Sequence, residues 1–134
     1  MIPRPPRHPG AVRSGAMSTT DPAARPILKA ELVAVGTELT TGETTDTNTG
    51  ELARALTGLG VTVIRILDLP DDLTVLTETL RRALRRADLV VTTGGLGPTP
   101  DDLTREAVSA ACDEPGTVDG PTLAWLEDLW ARRG

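Results

Sequence analysis

Thr92-Thr93-Gly94-Gly95-Leu96-Gly97-Pro98-Thr99-Pro100-Asp101-Asp102-Leu103-Thr104 follows the short apolar run Leu89 to Val91 and leads into a helical pattern. A strand, a glycine-rich turn and a helix start in that order predict one βα unit. The three glycines let the backbone approach a ligand closely, and two carboxylates follow at the helix start. Such a loop suits an anion, because backbone N–H groups hold the negative charge while the acids recruit a cation. It is not a Walker P-loop, since no Gly-Lys-Ser/Thr follows. Nor is it the Gly-x-Gly-x-x-Gly dinucleotide turn, because Gly94, Gly95 and Gly97 are spaced too tightly.

The rest of the chain repeats the alternation. Lys29 to Val35 reads as a strand ending at Gly36. Residues 47–59 place Leu52, Leu56 and Leu59 at helical spacing, with Gly60 as the stop. Val61 to Leu67 is rich in β-branched residues and reads as a second strand. Leu73, Leu76, Leu80, Leu84 and Ala87 form a helical stripe, with Arg81, Arg82, Arg85 and Arg86 expected on its solvated face. Leu89 to Thr92 is the third strand; Thr104, Ala107, Val108 and Ala111 line the next helix. Asp119 and Pro121 open a last one carrying Leu123, Leu126, Leu129 and Trp130.

Strands alternating with helices imply βαβ units: an α/β three-layer sandwich with a mainly parallel sheet. Ligands in such sheets bind outside the strand C-termini. Three loops meet there: residues 36–48, 68–72 and 93–102. In the first, Asp46 or Thr47 serves as a helix N-cap or as part of a site, while Glu38 lies too early to cap anything. In the second, one of Asp71 and Asp72 caps the helix, and the other is a candidate free carboxylate facing the glycine loop. In the third, Asp102 either caps the following helix or belongs to the site.

Composition bounds the function. The chain of 134 residues carries a net charge of −5, yet residues 1–26 sum to +3 and the remainder to −8. An acidic domain repels polyphosphate unless a cation intervenes, and it excludes nucleic acid as an expected partner. With no Phe or Tyr and two Trp, no aromatic platform for stacked bases is available. Cys112 permits no internal disulfide and reads as a small buried thiol near a helix end. The single histidine, His8, lies outside the alternating region, which therefore offers no imidazole base or zinc ligand. No apolar run approaches the ~18–20 residues of a membrane span, so a cytoplasmic setting is expected. Residues 1–26 hold six of the eleven prolines and no periodicity. They read as a disordered tail, leaving 27–134 as the domain.

Thr93 to Thr104 resembles the signature of the CinA (competence/damage-inducible protein A) N-terminal domain, within the MoaB/Mog molybdopterin-binding superfamily. Val35-Gly36-Thr37-Glu38-Leu39, through Gly42 to Asp46-Thr47-Asn48, matches the same family in register. The resemblance implies a pocket at the strand C-terminal edge that takes a nucleotide or a pterin phosphate. It implies hydrolysis of the pyrophosphate of ADP-ribose with Mg²⁺ or another divalent or monovalent cation. The alternative is a non-catalytic molybdopterin- or nucleotide-binding module, or an inactive fragment. Carried over residue by residue, it gives Asp71 and Asp102 catalytic roles and Asp101 and Asp102 the metal. Gly36, Thr37, Glu38, Asn48, Gly94, Gly95, Gly97, Thr99 and Thr104 fall to the substrate. Asp101 stands where many pterin-binding members have Arg, which favours the CinA branch. Family members continue into further strands, so the domain is expected to lack its C-terminal strands. Edges left unpaired in that way favour a partner, a homo-oligomer included.

Overall fold

The computed structural model describes residues 25–132. They fall into two units, residues 25–116 and a second unit to which residues 117–132 belong. The expected tail, up to residue 24, lies outside the described residues.

The first unit is built on β1 (Lys29–Val35), β2 (Thr62–Leu69) and β3 (Leu89–Thr93), all parallel, in the spatial order β2-β1-β3. This is the expected α/β architecture. β1 lies at the centre and is buried from Ala30 to Val35. A central parallel strand is covered on both faces, which explains its near-continuous apolar run. The chain leaves β1 through the four-residue helix α1 (Thr37–Thr40) and then α2 (Asn48–Gly58) to reach β2. It returns through α3 (Leu73–Leu84), passing β1 to reach β3, and continues into α4 (Thr104–Cys112). The two crossovers run in opposite directions, so right-handed connections place α2 and α3 on opposite faces. The core against α3 and α4 joins Val33 and Val35 to Leu76, Leu80, Ala107 and Ala111. Burying a leucine such as Leu76 contributes about 1.5–3 kcal/mol.

Local chemistry sets the element ends. α2 closes in a Schellman turn: Gly60, at φ +83°, donates to the Thr57 carbonyl at 3.0 Å, and Val61 donates to Leu56 at 3.0 Å. Asp72 caps α3 by accepting from the Val75 N–H at 2.9 Å. Asp88 accepts from the N–H groups of Leu28 and Lys29 at 3.1 and 3.0 Å, tying the start of β1 to that of β3. Those two backbone bonds lower its carboxyl pKa below the usual value.

Three sequence expectations change. The inward stripe of α3 is Leu76, Leu80 and Ala83, while Leu73 and Leu84 are exposed. Arg86 lies three residues beyond Ala83, in phase with that stripe, and its guanidinium forks onto Glu31: Nε to Oε1 at 2.9 Å and Nη2 to Oε2 at 3.1 Å. It is thus no free surface charge. Glu31 is fully buried on β1, where a carboxylate needs such a partner. Cys112 is exposed rather than buried, because Thr104, Ala107 and Ala111 set the inward phase of α4 and the next residue turns out of it.

In the second unit, α5 (Gly120–Ala131) starts on Asp119, whose side chain accepts from the Thr122 N–H at 2.8 Å. Pro121 fits the first turn, where no N–H is needed. No helix of the described residues is long and apolar enough to cross a membrane.

Candidate functional site

β1 connects through α2 toward β2, whereas β3 continues into α4 on the opposite face. The C-terminal ends of these neighbouring strands therefore splay their loops apart, and the crevice between them is the switch point at which open α/β sheets bind ligands. A cleft of about 230 Å³ lies there, walled by Glu38, Thr44, Asp46, Asn48, Thr93 and Gly94 among others. A more open hollow of about 520 Å³ continues from it along α2 through Glu51, Leu52 and Ala55, sharing Asn48 and Thr93. Asn48 Nδ2 donates to Thr93 Oγ1 at 3.4 Å across the junction. Thr93, Glu51 and Leu52 were not among the site residues expected from sequence. Only their position beside Asn48 in space reveals them.

The glycine loop is held by α4. Thr104 Oγ1 donates to the Gly94 carbonyl at 2.8 Å, and its N–H donates to the Gly95 carbonyl at 3.2 Å. A trans peptide points its N–H opposite to its C=O. The N–H groups of Gly95 and Leu96 therefore face away from α4, and neither meets an acceptor among the described residues. Gly94 and Gly95 adopt φ of +87° and +61°. A Cβ on Gly94 would penetrate the Val35 carbonyl oxygen, and one on Gly95 would strike the Thr104 hydroxyl. Only glycine lets this turn lie against the end of β1.

The second half of the loop serves a different purpose from the one expected. Asp102 Oδ2 accepts from the Thr99 N–H at 3.0 Å and from its hydroxyl at 2.5 Å. The Thr99 hydroxyl, with backbone N–H bonds from Gly97 and Thr99, holds the Asp102 carboxyl below the usual carboxylate range. Gly97 carries no side chain because a Cβ would come within 2.6 Å of Asp102 Oδ2. Gly97 and Thr99 thus cradle the protein's own carboxylate. Asp102 does not cap α4, whose cap position is Leu103. Arg105 Nη2 braces the turn by donating to the Gly97 carbonyl at 3.2 Å. Asp101 is exposed and makes no side-chain bond among the described residues.

Asp71 stands elsewhere. β2 lies on the far side of β1 from β3, so the loop after β2 meets the first loop rather than the glycine loop. Asp71 Oδ2 accepts from the Thr37 N–H at 2.9 Å and its hydroxyl at 3.0 Å, while Asp71 N donates back to Thr37 Oγ1 at 3.2 Å. It fixes the start of α1 from a distant loop. Gly36 extends the tie by donating to the Leu69 carbonyl at 2.9 Å. Glu38 folds over Gly36, where a Cβ would meet its Oε1 at 2.5 Å. Asp46 Oδ1 accepts from the N–H groups of Asn48 and Thr49 at 3.0 and 3.2 Å, and Oδ2 accepts from the Thr49 hydroxyl. Its carboxylate organises the start of α2.

The edge thus unites Gly36, Thr37, Glu38, Asn48, Gly94, Gly95 and Thr104, and it separates Asp71 from Asp102. Among the described residues no group of three or more His, Cys, Asp and Glu side chains converges to hold a metal ion. A cation here would take most of its ligands from phosphate oxygens and water.

The family model described as "Probable molybdopterin binding domain" matches residues 31–132. A CinA-like protein of Deinococcus deserti is 50% identical over 108 residues, which is 81% of this chain and 27% of that protein. A CinA-like protein of Deinococcus radiodurans is 51% identical with the same coverage. The chain therefore spans about a quarter of the length of these relatives. Among solved structures, CinA of Thermoplasma acidophilum, a protein of unknown function, superposes with a TM-score of 0.73 at 34% identity, over 78% of this chain and 62% of that one. The tungsten cofactor synthesizing protein MoaB of Pyrococcus furiosus gives 0.59 at 30% identity, over 64% and 54%.

Proposed function

Since the chain belongs to the molybdopterin-binding domain family and resembles its CinA-like members, we propose that it binds a phosphate-bearing pterin or nucleotide at the β1–β3 edge and hydrolyses the pyrophosphate of ADP-ribose there. The observation that carries the reading is the pair of outward N–H groups at Gly95 and Leu96, fixed by Thr104 beside a cleft of about 230 Å³. Two aligned backbone donors suit a phosphate oxygen. Asn48 and Thr93 lie where a base, sugar or pterin ring would extend into the hollow along α2.

The carboxylates divide the labour. Asp102, with its pKa held low, is a weak proton acceptor at neutral pH. Its charge suits positioning a water or a phosphate-bound cation, alongside the uncommitted Asp101. Asp71 acts through Thr37 and is a positioning residue. Mg²⁺ would enter on the ligand's phosphates and neutralise them against this acidic surface. The water's oxygen would attack one phosphorus, and the bridging bond would break to release AMP and ribose 5-phosphate.

Incubating the whole chain with ADP-ribose and Mg²⁺ tests the reading. AMP release is expected, with Asp102→Asn slowing it about 100-fold, the scale on which a preorganised electrostatic group acts. No AMP release with either divalent or monovalent cations would refute hydrolysis. Saturable binding of ADP-ribose or a pterin without turnover would then establish the binding module. The engagement of Asp71 by Thr37 and of Asp102 by Thr99 in bonds within the protein favours that second reading.

A further inference from the structure

A second cluster of charge lies on the seam between β2 and α3 and shares no lining residue with the cleft. A hollow of about 140 Å³ is walled there by Arg65, Leu67, Leu69, Thr79, Arg82 and Arg86. Its volume is that of four or five liquid waters at about 30 Å³ each. That suits a small ion. Arg65 comes from β2, directly opposite the buried Glu31 in register, and makes no ion pair among the described residues. Arg86 spends two of its five N–H groups on Glu31 and keeps three. Arg82 is engaged by Glu78 in an exposed i,i+4 pair at 3.2 Å, a weak restraint that a better acceptor displaces. The Thr79 hydroxyl also has no hydrogen-bond partner among the described residues.

Three guanidinia, from β2, α3 and the turn after α3, thus face one small hollow against two carboxylates, in a chain whose net charge is −5. Arginines at the end of α3 alone would be a solvated helix terminus favoured by the dipole. Arg65 does not belong to that helix. Its position across from Glu31 brings a third fork to the other two. Planar guanidinia with spare N–H pairs match tetrahedral oxyanions, each through two parallel bonds.

We propose that the β2–α3 seam is a binding site for a small tetrahedral oxyanion, either free inorganic phosphate or the terminal phosphate of a small phosphomonoester. The anion bridges Arg65, Arg82 and Arg86 and accepts from the Thr79 hydroxyl, joining the outer strand to α3.

The test is a ¹H–¹⁵N titration of the whole labelled chain, arginine Nε–H signals included. One arm uses inorganic phosphate and the other methyl phosphate, with sodium chloride holding the ionic strength constant. Saturable shifts at Arg65, Thr79, Arg82 and Arg86 are expected in at least one arm. Saturation with both ligands assigns a monoester-tolerant site; saturation with inorganic phosphate alone assigns the free ion. Arg65→Gln and Arg82→Gln should each raise the half-saturation concentration about tenfold, the worth of one charge-assisted hydrogen bond. Both variants leave the Glu31–Arg86 pair intact, so folding is preserved. Linear, non-saturating shifts, or saturation unchanged in both variants, would overturn the proposal. Shifts confined to Gly95 and Leu96 would also overturn it while leaving the cleft's reading intact.

Discussion

Replacing Gly94 by alanine tests how the site is built. Gly94 has φ +87°, and a Cβ there would penetrate the Val35 carbonyl oxygen. Two costs combine. Left-handed backbone costs a non-glycine residue about 1–2 kcal/mol, and forcing an extra carbon into a packed site adds about 1–3 kcal/mol. The blocking atom belongs to the main chain, so rotating a side chain gives no relief, and the ends of β1 and β3 must move apart. Gly42 supplies the control: its φ is +78°, but a Cβ would meet nothing within 4 Å. Gly42→Ala should therefore cost only the backbone strain of about 1–2 kcal/mol. Urea unfolding followed by far-ultraviolet circular dichroism measures both. At a slope of about 1–3 kcal/mol per molar urea, the Gly94→Ala midpoint should fall below that of Gly42→Ala by roughly 0.3–3 M. Equal midpoints would refute the claim that the loop is wedged against β1.

Gly97→Ala should behave differently, because its Cβ meets the flexible end of Asp102 at 2.6 Å. Stability should fall by no more than the loss of the Asp102–Thr99 bonds, but ADP-ribose turnover should fall about as far as in Asp102→Asn, roughly 100-fold. Asp88 and Asp102 both have folded-state pKa values below their unfolded ones. Their stabilisation is therefore complete above the unfolded carboxyl pKa of about 3.9 and is lost as pH falls through the folded values. Urea midpoints should hold from neutral pH to about 5 and drop below about 4. Asp88→Asn should flatten that drop, and an unchanged acid limb would contradict the assignment. Arg86→Ala should destabilise more than Glu31→Gln, because it strands a fully buried carboxylate, whereas Arg86 is partly exposed and can hydrate. The reverse order of urea midpoints would count against a buried pair.

The strands and helices were legible because their signals are local: the β-branched run at Val61 to Leu67, the Gly60 stop, the aspartates before α3 and α5. The ligand-binding edge followed from the strand–helix alternation, whereas the switch point between β1 and β3 needed the spatial order β2-β1-β3. What escaped depends on neighbours distant in sequence. Nothing local says that Asp71 reaches back to Thr37, 34 residues earlier, or that Arg86 finds Glu31 across 55 residues. The loop's glycines and acids were visible, but their division was not. Gly94 and Gly95 lie against Val35 and present free N–H groups, whereas Gly97 and Thr99 enclose Asp102. A carboxylate three residues after Thr99 closes its own turn as readily as it greets a ligand.

In the proposed binding mode, the free N–H pair of Gly95 and Leu96, with Asn48 and Thr93, receives the phosphate-bearing ligand. Backbone ¹H–¹⁵N shifts of the whole chain during titration with ADP-ribose in the presence of Mg²⁺ report on it residue by residue. Saturable shifts are expected at Thr37, Asn48 and Thr93 to Leu96, with Gly95 and Leu96 among the largest. Saturable shifts that bypass those residues, or none at all, would contradict it.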